Sequence, residues 1–441
     1  MPADDSLLDH VTPYDRLAWS DTQIEEWLAS GARRRELSDY FGPIEYRALA
    51  RLARRARAAR AAADGLHVLI VPGIMGSQLG LARTQPLPND IVWLDPLDIQ
   101  RGRLASLSLS AAAPIMPLGV VLFSYLRLKL HLRAQGLTVE FHDYDWRQPV
   151  ADSGRALAER LQALQPARVA IVAHSMGGLV SRAALARGNT RHIERLVLLG
   201  TPNGGSFAAV QALRGSYAVV RKVARLALEA SAESLATDVF STFPSLYELL
   251  PSGCGGTNLF DARTWPAAGP QPRPALLEAA RSLPGQLAPP DERFAIIAGV
   301  GEETVTALSL RGAEFVYTLT RGGDGTVPLA SALLPGVRSV CARVAHSELT
   351  RDPLVAAAVV DLLRSGSTRR LPSRCQSRAR ARAQVSDGEL RRTHTEKVDW
   401  AALTPGERRL FLENLNEPPR LRLRVPGEAR RSRSPGRRRR R

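Results

Sequence analysis

Residues 168–182 read RVAIVAHSMGGLVSR, and this stretch decides the fold. From Val169 to Ala173 the chain is apolar and partly β-branched, the pattern of a buried strand. It runs straight into His174, Ser175, Met176, Gly177 and Gly178, after which apolar residues return with helical spacing. A serine between strand and helix sits on a strained turn that lifts its hydroxyl clear of the sheet, the nucleophile elbow. Neighbouring backbone crowds that turn, so the residues two before and two after the serine have to be small. Here they are Ala173 and Gly177. The helix brings partial positive charge to its N-terminus, beside the place where an oxyanion would form. Ser175 is the candidate nucleophile.

The same alternation extends on both sides. The run 67–71 is apolar and stops at Pro72 and Gly73, as a buried parallel strand does at its loop. A helix is expected over 120–134, a strand over 137–141, a helix over 152–164 and a strand over 195–199. Strands alternating with helices imply an α/β protein with a mostly parallel sheet and crossover helices. Residues 206–290 break the rhythm with a long helix and Pro/Gly-rich loops, and read as a cap inserted into the domain 65–365. Strand signals resume at 294–298, 315–319 and 337–340, and a closing helix is expected over 353–363.

A serine hydroxyl needs a base to become a useful nucleophile. On this type of fold the partners follow in the order Ser, then Asp or Glu, then His. Of eight histidines, His10, His67, His131, His142, His174 and His192 come too early in the chain or border early elements. His394 falls in the basic tail. That leaves His346, which follows the strand signal 337–340 and opens a loop ahead of the closing helix. The acid that orients it should lie on the loop after the preceding strand, where Asp324 stands between Gly323 and Gly325. Asp143 and Asp145 precede Ser175 and read as loop-fixing residues. An oxyanion needs two backbone N–H groups. Met176, after the nucleophile, supplies one, and Ile74, in the loop VPGIMGSQL after the early strand, is placed to supply the other. No cofactor motif and no metal-ligand spacing is visible.

The chain has 441 residues, 44% of them hydrophobic, and a net charge of +17. From Arg364 to the end there are 23 Lys and Arg against 8 Asp and Glu, so nearly all the excess lies in that stretch. The body is close to neutral, so the reading of a basic protein applies to that stretch and not to the body. Residues 366–441 are expected to form a basic, mostly disordered tail with a short helix at 405–414, suited to an anionic membrane surface or to nucleic acid. Residues 1–64 read as an N-terminal helical extension. Cys254, Cys341 and Cys375 suggest no disulfide framework, and Cys341 reads as a small core residue. The N-terminus lacks the regions of a secretory signal, which makes the cytoplasm the expected location. Residues 104–126 carry no charge, yet Pro114, Pro117 and Gly119 interrupt them. A span there would separate Ile74 from Ser175, so a buried or lid-like segment is expected in place of a transmembrane one.

Five motifs now stand in order: VPGIMGSQL (71–79), YDWR (144–147), AHSMGGLV (173–180), LGTPNGGS (199–206) and GDGTVPLASA (323–332). Together they resemble the lecithin:cholesterol acyltransferase-like group of α/β-hydrolases, which includes lysosomal phospholipase A2 and phospholipid:diacylglycerol acyltransferase. The resemblance covers about residues 66–363. It implies Ser175, Asp324 and His346 as the triad, Ile74 and Met176 as oxyanion donors, a lipid ester substrate and a mobile lid. The cysteines that close the lid loop of the secreted relatives are missing. Two activities share these parts: a carboxylic-ester hydrolase acting on lipid-like or other apolar esters, and an O-acyltransferase that passes the acyl group to an alcohol. A non-catalytic binding protein on the same scaffold is the third reading. The uncharged segment and the cap suit a lipid-binding wall, with Trp93 a candidate to line it.

Overall fold

Alternation along the strands builds two hydrophobic layers, one on each face of a central sheet. The computed structural model describes residues 21–59, 65–84, 87–165, 167–188, 190–252, 257–375, 383–393, 396–413 and 415. The strands are β1 (Leu66–Val71), β2 (Ser77–Leu81), β3 (Asp90–Trp93), β4 (Met116–Val120), β5 (Thr138–Phe141), β6 (Arg168–His174) and β7 (Ile193–Leu199) in the first half. After the cap come β8 (Phe294–Gly299), β9 (Glu302–Arg311), β10 (Glu314–Gly323), β11 (Arg338–Ala342) and β12 (Ala383–Ser386). Six of them form one sheet in the order β11-β8-β7-β6-β1-β5, with every neighbouring pair parallel. Successive side chains point to opposite faces. Leu69, Val71, Ile171, Ala173 and Leu198 enter one core, and Val68, Ile70, Ala170, Val172 and Val197 enter the other.

Strand order decides where a site can form. From β1 the chain passes to β5 on one side and then to β6 on the other. Where the winding reverses, the loops leaving two adjacent strands splay apart and open a crevice at their C-terminal ends. Those loops are residues 72–76 after β1 and Ser175 after β6.

The helices Asp21–Ser30, Arg34–Phe41 and Pro43–Ala59 cover the second face, burying Leu28, Phe41 and Leu49 against the helix Leu122–Arg133. Lys129 pairs with Glu25 at 2.8 Å, and Arg127 donates to Glu45 at 2.9 Å. The uncharged stretch 104–126 divides among the 3-10 turn Arg103–Leu107, β4 and the start of that helix. Among the described residues no helix is long and apolar enough to cross a membrane.

Several sequence expectations need correction. The long cap helix is broken into Phe207–Leu213 and Ala218–Leu226 at Gly215, whose φ of 67° suits glycine. Two antiparallel three-stranded sheets, β3-β2-β4 and β12-β10-β9, flank the parallel one. Consequently the strand signal at 315–319 belongs to a hairpin outside the central sheet. The largest difference concerns the tail, because the described part of 366–441 packs. β12 pairs with β10, Leu371 is buried, and Trp400, Phe411, Leu412 and Leu415 join the first core. These sparse apolar positions are diluted by arginine, which makes the composition read as unfolded. Cys341 is not a free core thiol: it forms a disulfide with Cys375, 34 residues along the chain. His10, Cys254 and His394 lie outside the described residues. Thiol titration of the denatured chain should release two further thiols on reduction; equal counts before and after reduction would rule the bond out.

Candidate functional site

β6 is buried along six of its seven residues, and the helix Met176–Leu185 is buried throughout. The turn between them has no room to relax. Ser175 has φ 53° and ψ −128°, a conformation that costs a residue with a Cβ roughly 1–3 kcal/mol and persists only where the surroundings over-determine it. The determinants are visible. Ser175 N–H donates to the Leu199 carbonyl at 2.9 Å, and Gly178 N–H donates to the Ser175 carbonyl at 3.0 Å. A Cβ at Gly177 would stand 2.4 Å from the Pro72 carbonyl oxygen, so the helix approaches the end of β1 as closely as glycine permits.

The loop after β1 meets the elbow. A Cβ at Gly73 would lie 2.7 Å from that of Ser175. Three aromatic side chains fix this loop: Tyr144 Oη donates to the Pro72 carbonyl at 2.9 Å, Trp93 Nε1 to Met75 at 2.9 Å, and Gly73 N–H donates to Tyr125 Oη at 3.0 Å. Trp93 is therefore a buried support of the loop, and it does not line the cavity as the sequence suggested. The rest of YDWR is scaffolding too. Trp146 Nε1 donates to Ser77, and Arg147 binds Asp145 and the carbonyls of Leu107 and Ile115. Asp143 accepts from Gly119 N–H at 2.9 Å. Among the described residues, neither Ile74 N–H nor Met176 N–H has a hydrogen-bond partner.

Asp324 and His346 are brought together from different sheets. Asp324 follows β10 in the flanking hairpin, and His346 opens a 3-10 turn after β11 at the edge of the central sheet. His346 N–H donates to the Asp324 carbonyl at 2.8 Å, and His346 Nδ1 lies 2.8 Å from Asp324 Oδ2. The other carboxylate oxygen accepts from the N–H groups of Thr326 at 3.0 Å and Val327 at 2.7 Å. A carboxylate accepts, so Nδ1 of the neutral imidazole carries the proton and Nε2 is left as a base. Ser175 and His346 line one cavity of about 80 Å³, but no hydrogen bond joins their side chains. Such bonds are often long in unliganded sites and tighten with substrate.

The cavity wall is mostly apolar on the cap side, where Ala208, Ala209, Ala212, Leu246 and Leu249 stand beside Ser206 and Tyr217, and polar on the other, with Ser124, Thr326 and Ser347. Asn203 and Ser206 of LGTPNGGS tie the cap to the acid loop: Asn203 bridges Arg182 and Ala332, and Ser206 Oγ donates to the Thr326 carbonyl at 2.6 Å. Among the described residues no group of three or more His, Cys, Asp or Glu is arranged to hold a metal.

Two residues at the site escaped the sequence reading. His174 Nδ1 lies 3.0 Å from Tyr125 Oη, and its Nε2 lies 3.1 Å from the His346 carbonyl. Burial holds the His174 imidazole well below its usual pKa; the charge of the neighbouring His346 pushes the same way, while the hydrogen bond to the His346 carbonyl pushes back up. Position next to Ser175 was the one available signal; the tyrosine looked like any apolar helix position.

A family model described as the PGAP1-like alpha/beta domain matches residues 155–242, the segment holding the elbow and the LGTPNGGS loop. With that match joined to the parallel sheet and its elbow, the architecture is decided. This is an α/β-hydrolase fold. The matching model is not that of the lecithin:cholesterol acyltransferase-like group, so the α/β-hydrolase fold stands and the narrower grouping rests on the five motifs. The chain matches no curated protein. Similar solved structures include the Tle4–Tli4 complex, with 16% identity and TM-score 0.41 over 67% of this chain and 97% of that one. The Bacillus licheniformis lipase BlEst2 in propeptide form is 17% identical, with TM-score 0.35 over 72% of this chain and 52% of that chain. Phospholipase PlaB from Legionella pneumophila is 12% identical, with TM-score 0.30 over 69% and 60%.

Proposed function

We propose that this protein is a serine-dependent carboxylic-ester hydrolase acting on apolar, lipid-like esters through an acyl-enzyme on Ser175. The observation that carries the reading is the Asp324–His346 pair, 2.8 Å long and bordering the same cavity as the strained Ser175. Ser175 Oγ attacks the ester carbonyl carbon while His346 Nε2 takes its proton. Asp324 holds the imidazole tautomer and stabilises the imidazolium. The oxyanion is received by the unpartnered N–H groups of Ile74 and Met176, each donor worth about 10²–10³ in rate. Collapse expels the alcohol, which takes its proton from His346, and water then repeats the sequence on the acyl-enzyme.

Transfer of the acyl group to an alcohol, an O-acyltransferase activity, is the second reading. It is favoured by the mostly apolar cap wall, Ser206 and Tyr217 apart, which lowers the access of water to an acyl-enzyme so that an alcohol can compete. The five motifs support the same direction. A phospholipid labelled in its acyl chain, incubated with and without an alcohol acceptor, should give free fatty acid in both cases; label appearing mainly in a new ester would assign transfer. Contact of the Arg-rich end with an anionic membrane or with nucleic acid belongs to the same proposal. For location, the cytoplasmic expectation is opposed by the Cys341–Cys375 disulfide, since such bonds persist in oxidising compartments.

A further inference from the structure

We infer that His174 and Tyr125 are positioning residues that tie the oxyanion loop to the loop of the base in one directed chain of hydrogen bonds; this rests on the proposed role of Ser175. The direction of every bond follows from the groups. The His346 carbonyl can only accept, so His174 Nε2, 3.1 Å away, carries the proton. His174 Nδ1 is then an acceptor, and the Tyr125 hydroxyl at 3.0 Å donates to it. The phenol oxygen keeps a lone pair for the Gly73 N–H at 3.0 Å. Gly73 precedes Ile74, one proposed oxyanion donor, and His346 is the proposed base. Three segments distant in sequence (the loop after β1, the elbow and the turn after β11) are thus locked in one register.

The chain is saturated in one protonation state only. A second proton on His174 would point at the phenol oxygen and displace the O–H donation. The pair is buried: Tyr125 is 3% exposed and its ring meets that of His174 edge-on at 5.8 Å, while the rings of His174 and His346 lie 4.7 Å apart. Packing alone does not fix this polarity: a leucine and a phenylalanine would fill the same space but leave the Gly73 N–H and the His346 carbonyl without these partners. Neither side chain is needed to exchange a proton with substrate; each sets where another group stands. Misplacement of about 1 Å can cost roughly 10²-fold in rate.

The test uses the full chain and a short-chain aryl ester, with a fluorophosphonate probe as a second readout. Tyr125→Phe keeps the ring but removes both of its hydrogen bonds. His174→Leu removes the donor to His346, and His174→Gln restores an N–H close to the position of Nε2. Tyr125→Phe and His174→Leu should lower kcat about 10- to 100-fold, leave KM within about twofold and slow probe labelling in step. His174→Gln should recover most of the kcat lost in His174→Leu. Wild-type kcat in Tyr125→Phe and His174→Leu overturns the inference. So does a loss in all three variants that merely follows their melting temperatures, with no recovery by glutamine. A wild type that neither labels nor cleaves ester overturns the Ser175 assignment and the inference with it, so the two failures read differently.

Discussion

Ser175→Ala should abolish ester cleavage and fluorophosphonate labelling, a loss of about 10⁶-fold in kcat if the group works as a unit with its base. The fold should be unaffected, because alanine keeps the Cβ and the backbone contacts that hold the elbow, Ser175 N–H to Leu199 and Gly178 N–H to the Ser175 carbonyl. Ser175→Gly adds a second reading of the same turn. With φ at 53°, glycine relieves the strain, so this variant should be equally inactive and more stable by about 1 kcal/mol in urea. The stability gain separates a strained functional turn from an ordinary one. A Ser175→Ala variant with wild-type turnover would sink the assignment of nucleophile, base and acid together.

The elbow was legible because its signals are local. A seven-residue strand, two glycines and an apolar helix sit side by side in sequence, and their burial on both faces leaves few alternatives. His346 and Asp324 were reachable through chain order and glycine-flanked loops, although the strand before Asp324 belongs to a hairpin outside the central sheet. What escaped was non-local. Tyr125 occupies a buried position on a helix whose pattern reads the same with phenylalanine there, and its partner groups lie 49 and 52 residues away. The Cys341–Cys375 bond spans 34 residues with no spacing motif to announce it. The packed part of the tail was hidden by composition: a few large apolar residues among many arginines carry its docking, and an average over the stretch erases them.

Asp387→Ala should cost about 3–5 kcal/mol, a large part of a typical folding stability of about 5–15 kcal/mol. Asp387 is fully buried at the start of the helix Asp387–Arg391, just after β12. Its carboxylate accepts from Arg214 Nε at 2.8 Å, Tyr317 Oη at 2.6 Å and Ser216 Oγ at 3.0 Å. Arg214, itself 1% exposed in its side chain, spends its other nitrogens on the carbonyls of Pro266, Ala268 and Pro270. One carboxylate therefore joins the tail to the cap and to β10. Removing it strands a buried guanidinium charge and two hydroxyl donors at once, and the unpaired charge dominates the loss. Asp387→Asn, which keeps an acceptor but not the charge, should lose less. The midpoint of urea unfolding measures both, and a change below about 1 kcal/mol for Asp387→Ala would show that 383–393 does not dock in solution. The same contacts set the terms for any test of the Arg-rich end. A truncation at 367 would remove Asp387, the disulfide partner Cys375 and the buried Trp400 together, and would report lost packing as lost binding. A cut after Leu415 keeps all three, so a fall in binding to anionic vesicles after that cut reports the arginines themselves.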